Sequence, residues 1–216
     1  MTDEQLQADV IAELFWDPRV RSEAIAVSTD AGTVTLRGTV DSLRAKREAG
    51  KAACRVYGVT RVRNELDVRL LDDSKRDDAE LRGDVLQALM LDSLIPTTVD
   101  ARARNGFVTL SGTADWQYQR DEAEILAASV PGVYALRNDI RLTPAPDTVE
   151  VKKDISEAFR RNASLDADRL SVDTTCYGRV ALVGTVSSWA EHDEAVAAAW
   201  SAPGVTEVDD QILVAY

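Results

Sequence analysis

Histidine is almost missing from this chain: there is one, His192, in 216 residues. Cysteine is nearly as scarce, and Cys54 and Cys176 stand alone and far apart. These two shortages exclude a great deal. No Ser-His-Asp or Cys-His catalytic set has more than one imidazole to draw on. The two cysteines form neither a disulfide framework nor the spacing of a metal site. No apolar run approaches the ~20 residues that a membrane span needs. The first residues, MTDEQLQADVIAELF, are acidic and amphipathic, unlike the basic start and apolar stretch of a secretory signal. A reducing cytoplasm is the expected home. Basic charge is also in deficit, with 25 Lys and Arg against 37 Asp and Glu, a net charge of −12. Such a chain repels nucleic acid overall, and no nucleic-acid partner is expected.

What is present is a sequence written three times. Gly32, Gly106 and Gly178 are spaced 74 and then 72 apart; Gly38, Gly112 and Gly184 keep that spacing, as do Gly58, Gly132 and Gly204. The words around them recur: GTVTLRGTV, GFVTLSGTA and GRVALVGTV, then YGVTRVRNELDV, PGVYALRNDIRL and PGVTEVDDQILV. A unit copied in tandem is usually a binding or scaffolding module, because copying does not build one asymmetric catalytic site. The expected domains are residues 1–71, 76–144 and 147–216, each near the lower size limit for folding alone. Two joints separate them: LLDDSKRDDAE (70–80) is charged, and TPAPDT (143–148) is proline-rich and semi-rigid.

Each repeat reads α-β-β-α-β. Leu6, Val10 and Leu14 recur as Leu81, Val85 and Leu89 and as Val151, Ile155 and Phe159, a four-residue spacing that keeps them on one helix face. Asp3, Asp78 and Thr148 are the expected N-caps. Two short alternating strands meet at a tight turn, which in repeat 2 is Asn105-Gly106. Gly38, Gly112 and Gly184 then mark a close backbone approach or a bulge. An alanine-rich second helix follows, including Ala49, Ala52 and Ala53 in repeat 1, and its small side chains imply that it lies close on the sheet. Gly58, Gly132 and Gly204 fit the helix C-terminus. The expected class is α+β: three tandem αββαβ units, each a three-stranded mixed sheet with two helices on one face and a right-handed crossover.

Charge and polarity differ among the copies. Repeat 1 balances 11 acidic against 11 basic residues, whereas the other two are acidic. On its second helix Arg44, Arg47, Lys51 and Arg55 form one stripe, replaced by Tyr118, Asp121, Ile125 and Ser129 and by Ala190, Asp193, Ala197 and Ser201. The fold therefore does not need this charge. It is a contact for an anionic surface, a solvated face, or a docking face for the acidic repeats. Arg37, Arg61, Arg63 and Arg69 add to it from the outer sheet face. Phe15 and Trp16 in repeat 1, and Leu91, Leu94 and Ile95 in repeat 2, are candidates either for a membrane interface, where Trp is favoured, or for packing between repeats. Asn64, Asn138 and Asp210 fall on the apolar register of the last strand and must find partners, with nearby backbone the commonest. Asp9, Asp84 and Asp154 recur beside the buried face of helix one, too few per repeat to chelate a hard cation alone. His192 takes a slot filled by Lys46 and Arg120 elsewhere, expected to face solvent.

The VTLxGTV motif before the second helix and PGVxxVxNxL after it resemble the BON domain, a family named for bacterial osmotic-stress and nodulation proteins. Its fixed residues here are glycines and core aliphatics, with Asn64 and Asn138 and a departure at Asp210. The resemblance implies a bacterial, non-enzymatic protein of αββαβ domains that binds phospholipid or a membrane surface in a stress-related role. No cofactor and no metal site is expected from the residues. A family arrangement with a BON domain beside a LysM domain binds potassium in the cytoplasm, but no LysM-like segment is present here. Exported family members carry a signal peptide or a lipoprotein cysteine, from which this chain departs. The leading expectation is a cytoplasmic protein, peripheral on the inner membrane face, meeting anionic phospholipid through Arg44, Arg47, Lys51 and Arg55 with Trp16 as a wedge. The alternatives are a cytoplasmic sensor of a small ligand or an ion such as potassium, and a self-assembling scaffold whose partner is protein.

Overall fold

A computed structural model of the chain describes residues 2–69, 76–143, 151–163, 165–174 and 178–215. Most of the two joints, Thr148 and Cys176 lie outside the described residues. Repeat 1 runs α1 (Asp3–Trp16), β1 (Ile25–Asp30), β2 (Thr33–Val40), α2 (Leu43–Cys54) and β3 (Arg61–Val68). Repeat 2 follows with α3 (Asp78–Leu91), β4 (Asp100–Arg104), β5 (Phe107–Ala114), α4 (Gln117–Ser129) and β6 (Ala135–Leu142). Repeat 3 has α5 (Val151–Arg161), β7 (Leu170–Thr174), β8 (Arg179–Val186), α6 (Trp189–Trp200) and β9 (Glu207–Val214). Each repeat builds its own three-stranded sheet, in the orders β1-β2-β3, β4-β5-β6 and β7-β8-β9. The first pair is antiparallel, as Val27↔Leu36 and Val172↔Leu182 show. The second is parallel, with Leu36↔Asn64 and Leu182↔Asp210 in register. The fold class is thus α+β, with mixed sheets.

Periodicity sets what goes inside. Leu6, Val10 and Leu14 of α1 are buried, and so are Val34, Leu36 and Leu66 of the sheet. The alanines of α2 (Ala45, Ala49, Ala52 and Ala53) join the same core. Repeat 3 repeats this with Ile155, Phe159, Val180, Leu182, Ala195 and Ala199. Fully burying one Val, Leu, Ile or Phe of this set is worth about 1.5–3 kcal/mol. The helices are stopped and started by small polar residues. Thr2 caps α1 in a capping box with Gln5, and Asp77 caps α3 by accepting from the Glu80 N–H. Each cap stands one residue ahead of the expected Asp3 and Asp78. A cap must be extended to aim its oxygen back at the third helical N–H, and the carboxylates one step inside then meet the positive end of the helix.

Gly38 explains the most stubborn of the repeated glycines. Its φ is +132°, and a Cβ there would lie 1.9 Å from the Ala24 carbonyl oxygen. The same conflict recurs at Gly112 with Thr98 O and at Gly184 with Arg169 O, at 2.3 and 2.2 Å. The chain entering the first strand crosses the end of the second at a distance that only glycine permits. Gly58, Gly132 and Gly204 sit slightly beyond the helix end they were expected to cap. The C-cap of α2 is Arg55, and Gly58 lies in the next turn, closed by Val59 N–H donating to the Val56 carbonyl.

Candidate functional site

The first helix of repeat 1 has more apolar residues than its buried face can use. Leu6, Val10 and Leu14 turn inward, but Phe15 and Trp16 follow directly and are 81% and 82% exposed. Repeat 2 does the same: Leu89 is buried, and Met90 and Leu91 behind it are 84% and 80% exposed. These pairs occupy equivalent positions, the last two residues of α1 and of α3. Ile95 belongs to the core and Leu94 is half-exposed, so the apolar loop of repeat 2 divides between the two roles. In repeat 3 the equivalent residues are Arg160 and Arg161, both exposed.

A buried charge network fixes the segment behind the repeat 1 tip. Asp17, next to Trp16, is only 4% exposed. It accepts from Arg19 at 2.9 and 2.8 Å and from Arg55 Nη2 at 2.7 Å. Arg19 and Arg55 together hold the carboxyl well below the usual carboxylate range, against the opposing cost of burial. Arg55 also reaches Glu13 at 2.8 Å, and Arg19 Nη1 lies 2.8 Å from Glu48 of α2. The counterpart in repeat 2, Asp92, only closes its own turn on the Leu94 N–H. In repeat 3 the counterpart Asn162 donates to Glu194 at 2.7 Å. Sequence reasoning passed over this network, although Asp17, Asp92 and Asn162 recur in one slot and Glu48, Glu122 and Glu194 in another.

The basic stripe of α2 is largely engaged within the chain. Arg55 belongs to the Asp17 network. Arg47 forms an ion pair with Glu124 of α4, and Arg44 Nη1 reaches Ser129 Oγ of that helix at 3.4 Å. Lys51 stays exposed, 3.8 Å from Glu48. The structure thus brings Arg55 to the loop that follows Trp16 and turns Arg47 and Arg44 toward repeat 2. On the outer sheet face Arg37 pairs with Glu65, while Arg61, Arg63 and Arg69 are exposed.

The polar residue of each third strand ties that strand to the second helix. Asn64 Nδ2 donates to the Lys46 carbonyl at 2.6 Å, and Asn138 Nδ2 donates to Glu124 Oε2 at 2.8 Å. In repeat 3 Asp210 Oδ2 faces His192 Nε2 at 2.8 Å. All three also accept from the backbone N–H two residues on, at Leu66, Ile140 and Ile212. These side chains therefore serve local structure. His192 departs from the solvent-facing expectation: its side chain is 12% exposed, between Asp193 and Asp210, with its ring edge-on to Trp189 at 4.8 Å. The hydrogen bond with Asp193, and the charge and hydrogen bond of Asp210, raise its pKa above the ordinary imidazole value despite its burial. Among the described residues no three His, Cys, Asp or Glu side chains gather as a metal site. Asp9 and Asp154 are exposed, and Asp84 lies 3.1 Å from Arg76.

The chain is similar to osmotically-inducible protein Y of Escherichia coli (strain K12), at 36% identity over 149 residues, covering 65% of this chain and 73% of that protein. Among solved structures it matches CdsD, a structural protein of the type III secretion system of Chlamydia trachomatis, at 16% identity over 98% of this chain and 92% of the other, with a TM-score of 0.27. The PrgH periplasmic domain matches at 11% identity over 97% of this chain and 100% of the other, with a TM-score of 0.24. The model of the BON domain matches three times, at residues 2–69, 77–144 and 147–216. The chain belongs to the BON domain family.

Proposed function

We propose that this chain is a non-enzymatic, stress-related protein that binds a phospholipid surface peripherally, seating the ends of α1 and α3 in the membrane interface. One observation carries the reading: Phe15, Trp16, Met90 and Leu91 are each at least 80% exposed, and they stand at the same place in two repeats. Two equivalent apolar tips are an expensive feature for a surface to keep, and Trp and Phe are suited to the boundary between headgroups and acyl chains. No helix among the described residues is long and apolar enough to cross a membrane, which fits attachment from one side. The family membership and the name of the Escherichia coli relative support the stress-related role.

Charge plays the smaller part in this reading. With Arg47 and Arg55 occupied, Arg44 and Lys51 remain on the α2 stripe, and each basic residue near an anionic surface adds about 1 kcal/mol. Four apolar side chains, each worth about 1.5–3 kcal/mol when fully buried, exceed that even if burial is partial. Vesicle flotation tests the proposal. Phe15→Ser with Trp16→Ser should abolish most of the binding to neutral and to phosphatidylglycerol-containing vesicles. Arg44→Glu with Lys51→Glu should weaken only the anionic case, and only at low salt. Undiminished binding by the Phe15 and Trp16 variant would overturn the reading.

A further inference from the structure

The second helix and third strand of every repeat are joined by a polar bond, and among these three bonds that of repeat 3 alone has a partner that titrates near neutral pH, His192. In repeats 1 and 2 the strand supplies an amide, Asn64 or Asn138, which needs no proton exchange near neutral pH to donate. In repeat 3 the strand supplies Asp210 and the helix supplies His192, 2.8 Å apart. The imidazole side chain is 12% exposed, so its charge is screened less than that of a fully solvated group. β9 is an edge strand, parallel to β8 and without a partner on its other side among the described residues. The bond to α6 therefore restrains one of the two edge strands of its sheet.

The groups facing the ring are few. Asp193 of its own helix approaches Nδ1 at 3.0 Å, Asp210 of β9 approaches Nε2, and Trp189 lies against the ring. The other carboxylates nearby are turned elsewhere. Glu191 accepts from Ser187 and from the Asp166 N–H, Glu194 from Asn162, and Asp209 from Gln211. A ring with a carboxylate at each nitrogen is best satisfied when both nitrogens donate, which requires the imidazolium. The neutral ring has one N–H, leaving the other nitrogen and its carboxylate as two facing acceptors.

We propose that His192 and Asp210 form a proton-dependent latch between α6 and β9, closed when the imidazole is protonated and loosened as pH rises. The folded protein holds this proton more tightly than the unfolded chain does. The latch's contribution to stability is therefore complete below pH ~6.5, the ordinary imidazole value, and is lost as pH rises through the raised folded value. Repeats 1 and 2 have no such dependence at this joint, so the response is confined to repeat 3.

His192 is the sole histidine, so NMR titration of the full chain gives one imidazole signal. Its midpoint should lie above 6.5, and amide protection in β9 relative to β3 should fall through the same pH range. Asp210→Asn, which restores the residue type of repeats 1 and 2, should lower the midpoint and flatten the β9-to-β3 ratio. Asp193→Asn should move the midpoint less, because Asp193 is mostly in solvent. A wild-type midpoint at or below 6.5 would overturn the latch. So would a β9-to-β3 ratio that follows the same pH profile in wild type and in Asp210→Asn. The titration needs neither vesicles nor lipid, so its outcome is independent of the membrane proposal.

Discussion

Repeats 1 and 3 each bury the same pattern of aliphatic residues and differ at three slots outside it. The final turn of α1 ends in Phe15-Trp16, whereas that of α5 ends in Arg160-Arg161. Repeat 1 locks the segment behind its tip with Asp17, Arg19 and Arg55; repeat 3 places Asn162 on Glu194 in the matching slot. Repeat 1 joins its second helix to its third strand with Asn64, and repeat 3 does so with a histidine-carboxylate pair. Triplication has left a common scaffold in which individual slots carry different chemistry. Function is to be sought in the differences, because the shared glycines and aliphatics account for the fold alone.

The comparison breaks most completely where the scaffold is common. Gly38→Ala and Gly184→Ala should each cost about 3 kcal/mol or more, combining overpacking with backbone strain, because the added carbon meets a carbonyl oxygen at 1.9 and 2.2 Å. Thermal melts should show both variants strongly destabilised. Equal tolerance of alanine at both sites would mean that the crossing is not as tight as described.

Next in size are the slots that differ. Arg55→Ala leaves Asp17 buried with Arg19 as its remaining ion-pair partner, and should cost about 1–3 kcal/mol; denaturant unfolding measures it. Because the folded Asp17 carboxyl titrates below its ordinary range, its contribution is present above that range and is lost as pH falls toward the depressed value. Repeat 1 should therefore hold its stability between pH 5 and 8, while repeat 3 weakens toward the alkaline side. Urea melts followed by repeat-specific amide signals would expose the opposite signs. A smaller change is expected at the partly exposed Arg47–Glu124 pair, where Arg47→Ala should cost about 0.2–1 kcal/mol. Transplanting the tip sharpens the comparison further: Arg160→Phe with Arg161→Trp should increase vesicle binding with little effect on stability.

Much of this was legible in the sequence because it is periodic. Leu6, Val10 and Leu14 declare a helix face, Val34 and Leu36 a strand face, and the spacing of Gly38, Gly112 and Gly184 declares that one close approach occurs three times. The site was legible only in part. Trp16 is recognisable as surplus to the buried stripe, but its exposure depends on what packs beside it. The α2 stripe reads as free charge because Glu124 and Ser129, which face Arg47 and Arg44, are 77 and 85 residues away. His192 reads as a solvent slot because Lys46 and Arg120 fill the equivalent positions. A lysine or arginine can extend its charge into water from there, whereas a compact imidazole remains against Asp210. Pairings of this kind follow from tertiary placement, which local spacing does not encode.

The central claim is that the two apolar tips bind the membrane. Its most direct measurement is flotation of the full chain with vesicles, wild type against Phe15→Ser, Trp16→Ser, Met90→Ser and Leu91→Ser combined. All four residues lie outside the core, so each substitution should change stability by no more than about 0.5 kcal/mol and the combined variant should remain folded. The account predicts that wild type floats with the vesicles and that the variant stays in solution at every salt concentration. A folded variant that floats as well as wild type, or a wild type that does not float, would contradict it.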